Sequence, residues 1–196
     1  GGSFGCSGTL IAPDWVLIAY QIPRADCDLL LDVIASPDAP PDFGFKLSKP
    51  YYRSGVALAV RSGSKLTSFR DLNGHTKVGV QSGSVVAMTL DRRHVPISIF
   101  GFEDDMLGAP AANEIDAAAV TPMTAAYFNV KNPDKKLTIE PLDESEPDFV
   151  WNVAVGMRHP DDALRQAIDA AIDHLSADGT IARIYERYGV KLAAPK

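Results

Sequence analysis

Serines, histidines, clustered carboxylates and loops of small residues are the side chains here that could do chemistry. His75, His94, His159 and His174 are scattered. None has the HxxxH or HExxH spacing that sets two imidazoles on one helix face, so a metal centre is not expected. The run Asp143-Glu144-Ser145-Glu146-Pro147-Asp148 spaces its carboxylates so that they could gather a hard cation. It lacks the glycine of an EF-hand loop and reads as a solvated acidic loop. Gly79-Val80-Gln81-Ser82-Gly83-Ser84 joins a strand to a helix through small residues, without the Gly-Lys-Ser/Thr of a phosphate loop. It offers the backbone N–H groups of Gly83, Ser84 and Val85 at a helix N-terminus, with the hydroxyls of Ser82 and Ser84 as further donors. That is a cradle for a carboxylate or another anion; the same residues also fit an ordinary cap, in which Ser84 serves its own helix. No acid–base pair, triad, metal cluster or cofactor motif emerges. The expectation is a protein that binds and does not catalyse, with no cofactor.

The elements that must position these residues alternate along the chain. Strands are expected at Trp15–Ile22, Leu29–Ile34, Tyr51–Arg61, Thr76–Gln81, Ile97–Phe100, Ile115–Val120, Leu137–Leu142 and Phe149–Met157. Helices are expected at 68–72, Val85–Arg92, Glu103–Asn113 (shortened or kinked by Pro110) and from Pro122 to about Val130. The order predicts an α/β fold with mainly parallel sheets. Near the end, Leu164, Ala167, Ile168, Ala171, Ile172 and Leu175 follow helical spacing, and Gly179 closes that helix. A second helix carries Ile181, Ile184, Tyr185 and Tyr188 on one face and stops at Gly189.

With 196 residues and 46% hydrophobic content, the chain can bury a core without staples. Its apolar runs are too short to span a bilayer, so no membrane insertion is expected. The net charge of -6, with no basic block, argues against nucleic acid as a partner. Cys6 and Cys27 fit either one disulfide or two thiols. The segment Gly2–Leu17 resembles the stretch before the catalytic His of trypsin-like serine proteases, but Ile18-Ala19-Tyr20-Gln21 stands where the His would be. Without that base no serine is activated.

Three stretches together resemble the family 3 extracellular solute-binding proteins, the periplasmic type II fold. They are Leu47-Ser48-Lys49-Pro50-Tyr51-Tyr52-Arg53-Ser54-Gly55 running on to Arg61, Asp71-Leu72-Asn73-Gly74 running on to Val78-Gly79-Val80-Gln81-Ser82-Gly83-Ser84, and Asn113-Glu114-Ile115-Asp116-Ala117-Ala118 with the closing Leu175-Ser176-Ala177-Asp178-Gly179-Thr180-Ile181 to Tyr188-Gly189. The resemblance implies two lobes joined by crossing strands. Lobe one would be 1–56 plus 151–196, shortened at its start, and lobe two 57–150. Ligand would sit at the carboxyl ends of strands. The implied cleft residues are Tyr51, Tyr52, Arg53, Ser82, Gly83, Ser84, Val85, Thr121, Met123 and Trp151, with Tyr127 and Phe128 as further aromatics.

Two charged positions of amino-acid-binding members are replaced. Ala57 stands where an Arg clamps the α-carboxylate, and Thr121 where an Asp holds the ammonium. Asp26–Val33, Pro50–Ser54, Ala125–Phe128 and Ala154–Arg158 resemble the J-type binding proteins encoded beside quinoprotein methanol dehydrogenases. That resemblance implies a periplasmic, non-catalytic accessory partner of a pyrroloquinoline-quinone methanol dehydrogenase. The alternative is the binding component of an ABC importer, with a small polar solute and a membrane permease as partners. A periplasmic setting would favour a Cys6–Cys27 disulfide.

Overall fold

The computed structural model describes residues 8–12, 15–18, 29–35, 46–157 and 162–196, the first two segments by backbone alone. The chain divides into two compact units. The first takes the chain up to Arg53, then Asn152–Thr180 and Ala194–Lys196; the second takes Ser54–Trp151 and Ile181–Ala193.

In the first unit, β1 (Gly8–Ala12) and β2 (Trp15–Ile18) form an antiparallel hairpin. β3 (Leu29–Ala35) and β4 (Lys46–Leu47) follow, and β5 (Tyr52–Gly55) leads out to the second unit. The expected continuous strand Tyr51–Arg61 is broken. β6 (Ala57–Arg61) starts after Val56, whose N–H donates to the Phe149 carbonyl at 2.7 Å. Gly55 permits this approach, because a Cβ there would lie 2.2 Å from the Phe149 oxygen.

The second unit is built on β6, β7 (Val78–Gln81), β8 (Ile97–Phe100), β9 (Ala117–Val120) and β10 (Leu137–Ile139), in the order β10-β6-β9-β7-β8. β7 is parallel to β8 and β9, while β6 is antiparallel to β9 and β10. So the sheet is mixed, where a mainly parallel one was expected. Helical crossovers keep β7 to β10 running one way. β6 reaches β7 without one, through a short 3₁₀ turn at Phe69–Asp71, and inserts against them. That turn is held by a capping box. Asp71 accepts from the Thr67 N–H (2.8 Å), the Thr67 hydroxyl (2.9 Å) and the Ser68 N–H (3.0 Å).

Successive side chains of these strands face opposite layers. Leu58, Val60, Val78, Val80, Ala117 and Ala119 pack with Val86 and Leu90 of α1 (Val85–Arg92) and with Phe69 and Phe149. Ala59, Ala118 and Val120 pack with Met106 and Leu107 of α2 (Glu103–Ala111) and Ala125 of α3 (Pro122–Lys131). Pro110 leaves α2 unbroken until its last turn, where the missing N–H falls next to the helix end, and Asn113 closes the turn at φ 62°.

The chain returns along β11 (Val150–Met157), which pairs with β5 and runs antiparallel to β3 and β4. α4 (Asp162–Ala177) follows. Its expected apolar face is mostly not buried: Ile172 is, whereas Leu164 and Leu175 are each 38% exposed. Polar contacts tie α4 to the Ser48-Lys49 segment instead, through the Lys49 N–H to Asp169 (2.8 Å) and the Lys49 ammonium to Asp173. α5 (Thr180–Arg187) belongs almost wholly to the second unit, so the expected lobe-one segment 151–196 is divided. The physical reason is apolar. Tyr188 sits against Tyr127 of α3, ring centroids 6.2 Å apart, and the backbone at Gly189 (φ 75°) passes close to Ala126 and Val130.

Candidate functional site

β7, β8 and β9 run in one direction, so Gln81, Phe100 and Val120 end at the same edge of the sheet. α1, α2 and α3 begin just beyond it. The partial positive charge of three helix N-termini and the loops that precede them therefore collect there. Ala57 lies at this edge too, in register with Val120 and 1% exposed.

Ser82-Gly83-Ser84-Val85 leads into α1 as the sequence indicates, with Gly83 at φ 71°. Ser84 is largely committed to its own helix. Its hydroxyl accepts from the Ala87 N–H at 3.2 Å and donates to the Gln81 carbonyl at 2.7 Å. Ser82, Gly83 and Val85 are exposed. The cap reading and the cradle reading thus divide the loop between them: Ser84 caps, and its neighbours face outward.

Thr121 heads α3 without capping it through its side chain. Its N–H donates to Glu103 Oε1 at 3.0 Å, and its Oγ1 lies 3.0 Å from Glu103 Oε2 and 2.8 Å from Thr124 Oγ1. Sequence reasoning missed Glu103. The available signal was an acidic side chain opening a helix straight after a strand, Phe102-Glu103-Asp104-Asp105. Thr121 thus holds a carboxylate supplied by α2. Met123, two residues after Thr121, is half-buried.

The remaining expected residues belong to other elements. Trp151, half-buried, ends the second unit's part of β11. Tyr51, Tyr52 and Arg53 belong to the first unit. Tyr52 is 3% exposed, a core side chain and not the accessible aromatic expected, because alternation along β5 turns it inward. Tyr51 donates its N–H to Val153 (2.9 Å) and its hydroxyl to the Leu31 carbonyl. Arg53 reaches Asn152 Oδ1 at 3.4 Å. Tyr127 is half-buried against Tyr188, and Phe128 packs on the α2–α3 core layer. Cys6, Cys27 and His159 lie outside the described residues.

The acidic loop is organised around an arginine. Arg93, just past α1, holds Glu146 by two 2.7 Å hydrogen bonds. These bonds push the Arg93 pKa above its ordinary value; partial burial opposes the rise, and the charges of Glu146, Asp143 and Asp148 add to it. Among the described residues no group of His, Cys, Asp and Glu is placed to hold a metal ion. No helix among them is long and apolar enough to cross a membrane.

The fold is that of the type II periplasmic binding proteins. Residues 44–191 match bacterial extracellular solute-binding proteins, family 3, and the chain belongs to that family. It is similar to the ABC transporter glutamine-binding protein GlnH of Bacillus subtilis (strain 168), 26% identical over 143 residues, which are 72% of this chain and 50% of the relative. Of solved structures, the unliganded, open L-cystine solute receptor of Neisseria gonorrhoeae superposes with a TM-score of 0.65 at 20% identity, covering 78% of this chain and 63% of the receptor. An ancestral cationic amino acid solute-binding protein gives 0.67 at 20% identity, covering 83% and 69%. The chain thus spans about half the length of the curated relative it matches.

Proposed function

We propose that this chain binds a small polar solute as the receptor component of an ABC importer in the periplasm, and performs no reaction on it. The observation that carries this reading is the carboxyl edge of the second unit. There an outward-facing Ser82-Gly83 loop, three helix N-termini and the Thr121–Glu103 pair converge. Family membership over 44–191 supports the same edge as the place for a ligand. Ala57 offers no guanidinium to a carboxylate, while Glu103 keeps lone pairs for a donor. The solute favoured is therefore one whose N–H or O–H groups are read by a carboxylate, not a zwitterion clamped at both ends.

The test is a thermal-shift screen of polar solutes, beginning with amines, polyols and sugars, with glutamine, L-cystine and cationic amino acids as the zwitterions expected to bind less well. At a hundredfold excess over Kd, a ligand of the folded state adds about 2.7 kcal/mol, which raises the Tm of a chain this size by roughly 5–10 °C. One observation favours a second reading, in which this face meets a protein: Val85 and Met88 at the start of α1 are 51% and 56% exposed. The partner would be the quinoprotein methanol dehydrogenase implied by the J-type motifs. Co-elution with that enzyme, with no solute raising Tm, would establish the second reading and overturn the first.

A further inference from the structure

The chain enters the first unit in three stretches, and the last of them is only Ala194–Lys196. That short return settles on one side chain. Asn152 donates its Nδ2 to the Lys196 carbonyl at 2.6 Å, and its Oδ1 accepts the Lys196 N–H at 3.2 Å. Arg53 brings a second donor to Oδ1 at 3.4 Å. A guanidinium only donates, so it fixes which end of the amide is oxygen and leaves Nδ2 for a carbonyl. Asn152 is itself 9% exposed. Arg53, Asn152 and Ala194–Lys196 all belong to the first unit.

The pairing has the form of one rung of a sheet, with a side-chain amide in place of a neighbouring strand. The N–H and C=O of one extended residue point the same way, and the Oδ1 and Nδ2 of an asparagine match them. The tail's sequence suits that role. Pro195 fixes its own φ and holds Ala194 in extended backbone, so little freedom is lost on docking. Both bonds run to backbone atoms of the tail, so the amide reads backbone. A buried amide stripped of both partners is costly, so whatever displaces Lys196 must bring one N–H and one C=O at the same spacing. We propose that Asn152 and Arg53 form a seat for a peptide backbone in extended conformation, which the chain fills with its own residues 194–196. The tail is a displaceable plug, and an extended peptide is the class of ligand that exchanges with it. The seat is distinct from the carboxyl edge of the second unit and does not depend on solute binding there.

The probe is the peptide Leu-Ala-Ala-Pro-Lys, the sequence of residues 192–196, acetylated and amidated so that no terminal charge takes part. It is titrated into the ¹⁵N-labelled full chain up to about 10 mM, and the side-chain NH₂ signals of Asn152 are followed. A tethered tail competes at an effective concentration on the order of millimolar, so the parent should respond weakly. Lys196→Pro sets a ring carbon where Oδ1 accepts the proton, and so empties the seat in a full-length chain. That variant should bind the peptide at least about 10-fold more tightly than the parent. A peptide ending in proline should not bind it, and neither should the probe once Asn152→Leu is added. Should Asn152→Leu fail to fold, the two peptides decide. No binding to the Lys196→Pro chain overturns the proposal, as does equal affinity in parent and variant, or equal affinity of the two peptides. A response to the free-acid peptide alone also overturns it, and would assign the seat to a terminal carboxylate at Arg53.

Discussion

Thr121 and Glu103 show how much of a site can rest on a pair that the sequence does not display. The two residues are 18 positions apart, and their contact depends on two parallel strands ending at one edge. Ser84, by contrast, is legible, because its cap is local and uses the Ala87 N–H three residues on. A hydrogen bond to a charged acceptor is worth about 1.5–3 kcal/mol. Glu103→Gln should therefore lower affinity for a donor-bearing solute roughly 10–100-fold by titration calorimetry. Unchanged affinity with unchanged Tm would mean that the carboxylate serves only Thr121. Asp71 provides a pH signature. Hydrogen bonds from Thr67 and then Ser68 hold its carboxyl below the ordinary value of 3.8. Its folded-state pKa is depressed, so its contribution to stability is present above pH 3.8 and is lost as pH falls through the folded value. Asp71→Asn should be less stable than the parent at neutral pH, and the two should converge in acid. Urea titrations at several pH values would show this, and a constant gap would contradict it.

Among the elements, those with local signals match best. α1 and β8 occupy the expected residues, because Ser84 caps one and Pro96 precedes the other. The direction of β6 was not legible. A continuous apolar run reports burial on both faces but not which way the strand runs. The break between β5 and β6 was hidden as well, since it depends on the Phe149 carbonyl nearly a hundred residues later. That break makes Gly55 a strict requirement. A Cβ there would lie 2.2 Å from backbone oxygen, which cannot swing aside, whereas at Gly79 it would meet the Met106 side chain at 2.8 Å. Gly55→Ala should cost at least the ~3 kcal/mol at the upper end of overpacking, and Gly79→Ala less. Chemical denaturation of both variants checks the order, and equal losses would refute it. The face of α4 shows the limit of periodicity. Helical spacing predicts a stripe, but only a covering partner buries it, and here polar bonds from Lys49 reach the helix.

At the scale of the molecule, the α/β class and the family were readable from three motifs, because they fall on the crossing strand, the α1 loop and the closing helix. The partition was less so. Motifs placed everything after 150 with lobe one, yet Ile181–Ala193 falls in the second unit, where Tyr188, just past α5, joins α3. This predicts that a fragment of residues 54–151 made alone is loosely packed, and that a synthetic peptide of residues 181–193 tightens it. Amide exchange in β6, β7 and β9 with and without the peptide would report the change. A fragment already fully protected would refute it. The order of synthesis follows from the same discontinuity. A ribosome releases the chain from its first residue, so the second unit cannot complete its packing until residue 193 has emerged. In the periplasmic setting proposed for it, that delay would lengthen the interval in which the nascent chain could still be threaded through a translocation pore.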